Sequence, residues 1–416
     1  MRRLSLLIVF LLVLATGCAQ QPVARAPAAA SERPMVILVS IDGFRPDFLK
    51  RQRTPTLKAL ADEGVRAEAM KPAFPSLTFP NHYTLVTGLY PDHHGIINNR
   101  FKDPASGDAF IYKDRYTTAD PNWWGGEPIW VTAQKQGLRT ATMFWPGSDV
   151  AIAGVRPDHW LYFDGAMSPN ERVDHLLRWI DLPPARRPQF LTLYFDDVDH
   201  AGHGFGPDSK QVNEALGSVD AAIARLVAGL RERGLYEHTD LVIVSDHGSA
   251  ATKPELRTYL DDIVPLDEVK VDNYGVVSTI TPKPGKEAAV DAALLKPHPH
   301  MSCWRKGELP ARFHYGSNPR LPPIVCVAAV GGMIGNHDYD KPGRRPTLGE
   351  HGYDNDAPQM QALFIASGPD FRRKLVVPEF DNVDVYPLLA HLLRIEPRPN
   401  DGNFATVAPM LRKDVR

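Results

Sequence analysis

DLVIVSDHG, residues 240–248, is a run of aliphatic and β-branched residues that stops on an acid and an imidazole. Its apolar positions are continuous rather than alternating, the pattern of a strand buried on both faces of a parallel or mixed sheet. Four other stretches repeat it: MVILVSIDG (35–43), TATMFWPG (140–147), FLTLYFDDVD (190–199) and MQALFIASG (360–368). Helical patterns lie between them. Thr54-Pro55 opens one that Gly64 ends, and Ser168-Pro169-Asn170-Glu171 is a capping box with proline at the first helical position. From Lys210 to Gly234, Val212, Leu216, Val219, Ile223, Leu226 and Leu230 keep helical spacing. The pattern predicts an α/β fold, a central and mostly parallel sheet with helices on both faces. Residues 250–345 break the rhythm with irregular, proline-rich and histidine-containing segments, and read as a smaller subdomain inserted before the last core strand. No GxxxxGK[ST] stretch occurs, so the chain offers no P-loop.

The 416 residues suffice for one large domain with an insertion, or for two domains. Lysine and arginine total 47 against 49 acidic residues, so no basic field suggests a nucleic-acid scaffold as partner. At the N-terminus, Arg2 and Arg3 precede an apolar run from Leu4 to Ala15 and then Thr16-Gly17-Cys18, the layout of a bacterial export signal. The apolar run is too short to span a membrane as a mature helix. Gly17-Cys18 resembles a lipoprotein cleavage site, although Leu14 stands one place earlier than that pattern prefers. Both lipidation of Cys18 and removal of a plain signal peptide therefore stay open. The expected layout is a signal peptide at 1–17, a flexible tether at 18–33 and the folded domain at 34–416, in an exported protein of the periplasm, lipid-anchored to the outer membrane if Cys18 is acylated. Cys303 and Cys326 are then the remaining pair, predicted to be disulfide-bonded in that compartment, with two buried free thiols as the alternative.

Several of the strands end in residues that ligate metals. Asp42 closes the first, Asp199 the third, with His203 four residues on, and Asp246-His247 the fourth. In open α/β sheets ligands bind beyond the carboxyl ends of strands, where groups distant in sequence converge. Taken singly, Asp42 in SIDGF could be a turn-forming Asp-Gly and His203 a loop residue; jointly they read as a metal centre. His351 in GEHGYDN is the chosen sixth ligand, with His337 in NHDYD as competitor. Carboxylate and imidazole donors without thiolate suit Zn²⁺, with Mn²⁺ or another divalent ion also open. Two such ions roughly 3.5–4 Å apart would clamp an in-line displacement at phosphorus. Thr78 opens the helical run after AFPSL, where it is either an N-cap or a nucleophile, and Ser76 is the alternative hydroxyl.

At these residues the chain resembles the nucleotide pyrophosphatase/phosphodiesterases of the alkaline phosphatase superfamily, in their bacterial branch. PSLTFPNHYTLVTGLYPDHHGI (75–96), DHAGHGFGP (199–207), VSDHG (244–248) and HGYDN (351–355) look like the family's signatures in the family's order, and the similarity runs from about Arg33 to NDGN at 400–403. The resemblance implies an alkaline-phosphatase-like fold and two Zn²⁺ ions per chain. Asp42, Asp246 and His247 would hold the ion that also binds Thr78, the nucleophile. Asp199, His203 and His351 would hold the ion that receives the leaving group. Asn99 matches an asparagine that binds a phosphate oxygen. Phe79 looks like one wall of a slot that stacks a nucleobase, with Phe163 preferred over Tyr162 for the other wall. Ser249 departs from the methionine the family usually has after SDHG, which concerns the packing of that loop. The chain is expected to be a free-standing module without the additional domains of animal relatives. The implied reaction is hydrolysis of a nucleotide phosphodiester or phosphoanhydride, releasing a nucleoside 5′-monophosphate through a covalent threonine intermediate. A phosphomonoesterase, for which Arg100 is the nearest arginine in sequence, a lipid-type phosphodiesterase and a non-enzymatic metal-binding protein are the alternatives.

Overall fold

The structure, a computed structural model, describes residues 35–338 and 346–413. The expected signal peptide, tether and Cys18 lie outside them. Eight strands form the central sheet: β1 (Met35–Ile41), β2 (Val65–Ala67), β3 (Thr140–Met143), β4 (His159–Trp160), β5 (Phe190–Phe195), β6 (Thr239–Val244), β7 (Phe364–Ser367) and β8 (Leu375–Val377). Their spatial order is β8-β2-β7-β6-β1-β5-β3-β4. From β6 across to β4 every pairing is parallel, as the continuous apolar runs predict. β7 departs from this, running antiparallel to both β6 and β2, so the sheet is mixed. Hydrophobicity reports burial on two faces and not strand direction, which the preceding connection decides.

β1 shows why the runs are unbroken. Val36 and Leu38 face one apolar cluster, while Met35, Ile37, Val39 and Ile41 face another across the sheet. Helices cover both faces. α1 (Pro55–Glu63), α2 (Thr78–Thr87), α3 (Pro169–Ile180), α4 (Asp197–Phe205) and α5 (Lys210–Glu232) contain those that matter for the site. Ser168 and Glu171 form the expected reciprocal cap of α3. On α5 the predicted stripe is buried at Val212, Leu216, Val219, Ile223, Leu226 and Leu230.

A separate antiparallel sheet of four strands occupies Val269–Asn273, Val277–Pro282, Met301–Arg305 and Ile324–Ala328, within the stretch where the periodicity changes. Cys303 lies directly opposite Cys326 there, and the two are disulfide-bonded.

Register in the main sheet sets up everything that follows. Ser40 pairs with Val244 and Ile41 with Phe195, so β1, β5 and β6 end at the same edge. Groups just beyond those ends meet although about 50 to 200 positions separate the strands.

Candidate active site

Asp42 follows β1 in a turn, as the Asp-Gly reading of SIDGF expects. Gly43 has φ +70°, and a Cβ there would come within 3.1 Å of the Asp199 Cβ. The glycine thus lets α4 approach the end of β1 closely. Its N–H donates to Asp246 Oδ1 at 3.2 Å. His247 Nε2 lies 2.9 Å from Asp246 Oδ2 and 3.4 Å from Asp42 Oδ1. Thr78 Oγ1 stands 3.3 Å from the same nitrogen.

Asp199 and His203 are not at a strand end or in a loop. FLTLYF stops at Phe195, and both residues lie on α4, four positions apart and therefore on one face. Asp199 Oδ2 is 3.3 Å from His203 Nε2, and Oδ1 is 3.7 Å from His351 Nε2. His351 arrives behind a two-residue strand, Gly349–Glu350, that pairs with Ala250–Ala251. A Cβ on Gly349 would sit 2.5 Å from the Gly202 carbonyl oxygen, so only glycine allows that strand against α4. His337 does not join this site. It is exposed, stacks on Tyr259 and approaches Asp262 at 3.1 Å. Ser76, the alternative hydroxyl, is fully buried and donates to the Tyr353 carbonyl.

The three imidazoles share one orientation. Nδ1 of His203 faces the Gly349 carbonyl at 2.8 Å, Nδ1 of His247 the Gly248 carbonyl at 2.9 Å, and Nδ1 of His351 the Ser76 carbonyl at 2.9 Å. A carbonyl oxygen needs a donor, so each ring holds a proton on Nδ1 and turns Nε2, the position left for a metal ion or a second proton, toward carboxylate oxygens. Asp42 Oδ1 and Asp246 Oδ2 are buried and accept no hydrogen bond. Lone pairs aimed at one another in a buried centre repel unless a proton or a metal cation sits among them. Burial and the charges of Asp246 and Asp199 push the Asp42 carboxyl well up, and Asp199 draws His203, against the effect of burial, up to about 10. Burial and the neighbouring His247 push His351 down to about 3. A divalent cation answers the same excess of negative charge, and this donor set fits one: the groupings Asp42–Asp246–His247 and Asp199–His247–His351 each bring three ligand atoms within 4.8 Å of one another.

Thr78 is the first residue of α2, with Leu77 rather than Thr78 at the cap position. Phe79 N–H donates to Asn99 Oδ1 at 2.9 Å. Pro80 has no N–H, and Asn81 N–H bonds Leu77 O. Thr78 therefore contributes the free amide at this helix end, a narrower donor set than a general helix terminus provides. Bonding to Phe79 also fixes the Asn99 amide, leaving Nδ2 as a donor. Phe79 packs edge-on against Phe110 and Tyr112. Phe163 is 57% exposed and lies 6.0 Å from Tyr194, whereas Tyr162 packs on Trp160 under the Arg115 guanidinium. Ser249 is buried, its carbonyl held by Arg45. Arg100 is solvent-exposed.

Sequence reading missed three neighbours. Tyr194 donates to Asp42 Oδ2, Glu350 lies 3.6 Å from His203 Nδ1, and His82 reaches Asp246 Oδ2 at 3.3 Å. His82 had a signal, the i, i+4 spacing from Thr78. Tyr194 had none, because a strand buried on both faces does not mark which side chain meets the site.

Fold and centre together define a metal-dependent hydrolase built on a mixed α/β sheet. Residues 36–354 match the family described as type I phosphodiesterase / nucleotide pyrophosphatase, and the chain belongs to that family. It is 38% identical over 91% of its length to an uncharacterized pyrophosphatase/phosphodiesterase of Schizosaccharomyces pombe, spanning 80% of that protein. It is 37% identical, again over 91%, to bovine (Bos taurus) ectonucleotide pyrophosphatase/phosphodiesterase family member 3, of which it spans 44%. Among solved structures, human ectonucleotide pyrophosphatase / phosphodiesterase 5 superposes with a TM-score of 0.87 at 34% identity, covering 91% of this chain and 100% of that one. An inactive threonine-to-alanine variant of the murine protein, in complex with AMP, matches with a TM-score of 0.86 at 33% identity over 91% of this chain and 100% of that one. These relatives are eukaryotic.

Proposed function

We propose that this chain is a zinc-dependent nucleotide phosphodiesterase that releases nucleoside 5′-monophosphates through a phosphothreonine ester at Thr78. The observation that carries the reading is the shared orientation of His203, His247 and His351, each tethered through Nδ1 with Nε2 turned toward Asp199 or the Asp42–Asp246 pair, beside a hydroxyl at a helix start. Asp42, Asp246 and His247, with Thr78, would hold one Zn²⁺, and Asp199, His203 and His351 a second. Zinc bound there supplies Lewis-acid stabilisation of charge on the phosphoryl and leaving oxygens.

The chain's own groups do the rest. Thr78 Oγ1, having released its proton to solvent, attacks phosphorus opposite the leaving oxygen. The bond to that oxygen breaks and a nucleotidyl ester forms on Thr78. Asn99 Nδ2 and the Thr78 N–H donate to a non-bridging oxygen as its charge grows. Water then attacks the same phosphorus, freeing the nucleoside monophosphate and restoring the hydroxyl. Phe79 and Phe163 would face the two sides of the base, a contact that needs only an aromatic surface. The AMP complex of the murine relative supports a nucleotide as ligand. The leader-like residues 1–18 support an exported, bacterial-type enzyme that acts in the periplasm, lipid-anchored if Cys18 is acylated.

The test compares thymidine 5′-monophosphate p-nitrophenyl ester with p-nitrophenyl phosphate, using wild type and Thr78→Ala. Strong preference for the diester, and loss of turnover in the variant with folding intact, is the expected result. Preference for the monoester would move the chain to a phosphatase, and near-normal turnover by Thr78→Ala would remove the threonine from the mechanism.

A further inference from the structure

We infer that His82 is a positioning residue that ties the nucleophile's helix turn to the carboxylate of Asp246; the inference rests on the reading that Asp42, Asp246 and His247 hold a metal ion. His82 lies four residues after Thr78 on the same face of α2 and has no solvent exposure. Its Nδ1 donates to the Thr78 carbonyl oxygen at 2.9 Å and stands 3.3 Å from Asp246 Oδ2, an electrostatic contact rather than a second hydrogen bond, while Nε2 is 2.8 Å from Ser40 Oγ. Two oxygens that can only accept face Nδ1, so the ring carries its proton there and Nε2 accepts from the Ser40 hydroxyl.

Neighbouring groups pack closely around the ring. Trp145 and Tyr194 pack edge-on against it, with ring centroids 5.0 and 5.1 Å away, and the Trp145 indole N–H donates to the His82 carbonyl at 2.9 Å. Ser40 sits on β1 two residues before Asp42. His82 therefore joins three elements: the strand that carries Asp42, the helix turn that carries Thr78, and the loop that carries Asp246. Asp42 has a comparable outer partner in Tyr194, but that hydroxyl touches the carboxylate alone. Among the described residues, only His82 contacts both a candidate ligand and the backbone of the nucleophile, so it sets the distance between them. Outer partners of this kind affect metal affinity and turnover more than substrate binding.

The experiment uses full-length protein and the variants His82→Leu, of similar bulk without a donor, and His82→Asn, whose amide nitrogen can take the place of Nδ1. Zinc affinity is measured by competition with a chromogenic chelator, and kcat and KM on the thymidine ester. His82→Leu should lose about 10- to 100-fold in zinc affinity or kcat. KM should stay within about threefold of wild type. His82→Asn should recover most of the loss. If His82→Leu fails to fold, Ser40→Ala, which frees Nε2, should shift kcat and zinc affinity in the same direction by less. Unchanged zinc affinity and kcat in His82→Leu, or a His82→Asn no better than His82→Leu, would overturn the proposal. Wild-type protein that binds no zinc would overturn the metal reading itself.

Discussion

The Tyr194 hydroxyl donates to Asp42 Oδ2 at 2.6 Å, and both side chains are buried. The bond fixes which carboxylate oxygen remains free, and that one, Oδ1, faces His247. Tyr194→Phe keeps the ring and its packing but leaves Oδ2 without a donor. We expect about a tenfold loss of zinc affinity or turnover, read by chelator competition and diester hydrolysis. A variant indistinguishable from wild type would show that Asp42 needs no outer partner.

Asn99 carries two functions on one amide, accepting from Phe79 N–H and presenting Nδ2. Asn99→Asp keeps the acceptor and replaces the donor with negative charge. Its melting temperature should stay near that of wild type while kcat falls by about 100-fold or more, since a donor to the charged oxygen is lost. Equal losses of stability and activity would instead assign Asn99 to the helix start.

The Cys303–Cys326 bond joins two strands of the smaller sheet across 23 positions of chain. Closing a loop of that length stabilises by about 3 kcal/mol on the chain-entropy account. Reduction, or Cys303→Ser with Cys326→Ser, should lower the melting temperature. Diester hydrolysis at 25 °C should be little changed, because neither cysteine touches the main-sheet site.

Asp240, at the start of β6, is fully buried, and burial together with the charge of Asp370 pushes its carboxyl up to about 8, with Arg394 opposing. The unfolded chain releases that proton near 3.8. Between these values the folded protein binds a proton that the unfolded chain has lost, so this group makes stability fall as pH rises through that window. Asp240→Asn keeps an acceptor for the Asp370 N–H and removes the titration. The gain in melting temperature over wild type should already be present at pH 5 and grow steadily to pH 8, by at most about 1.4 kcal/mol per pH unit. A pH-independent difference would show that the carboxyl does not titrate in this range.

Apolar runs ending in Asp-Gly, Asp-Asp and Asp-His were enough to place β1, β5 and β6, and to put Asp42, Asp246 and His247 at the carboxyl ends of β1 and β6, because burial on both faces and turn chemistry are local properties of the chain. The capping box of α3 and the stripe of α5 were legible for the same reason. Spacing alone left His337 open beside the chosen His351, and Ser76 open beside Thr78. Those choices depend on where the chain returns: Gly349 admits its strand against α4, and Tyr353 takes the Ser76 hydroxyl. The direction of β7, the placement of Asp199 and His203 on α4 rather than at a strand end, and the engagement of Phe79 N–H by Asn99 were likewise decided in three dimensions. So were the outer contacts of Tyr194 and His82, since polar contacts between residues 42 to 164 positions apart leave no periodicity to read.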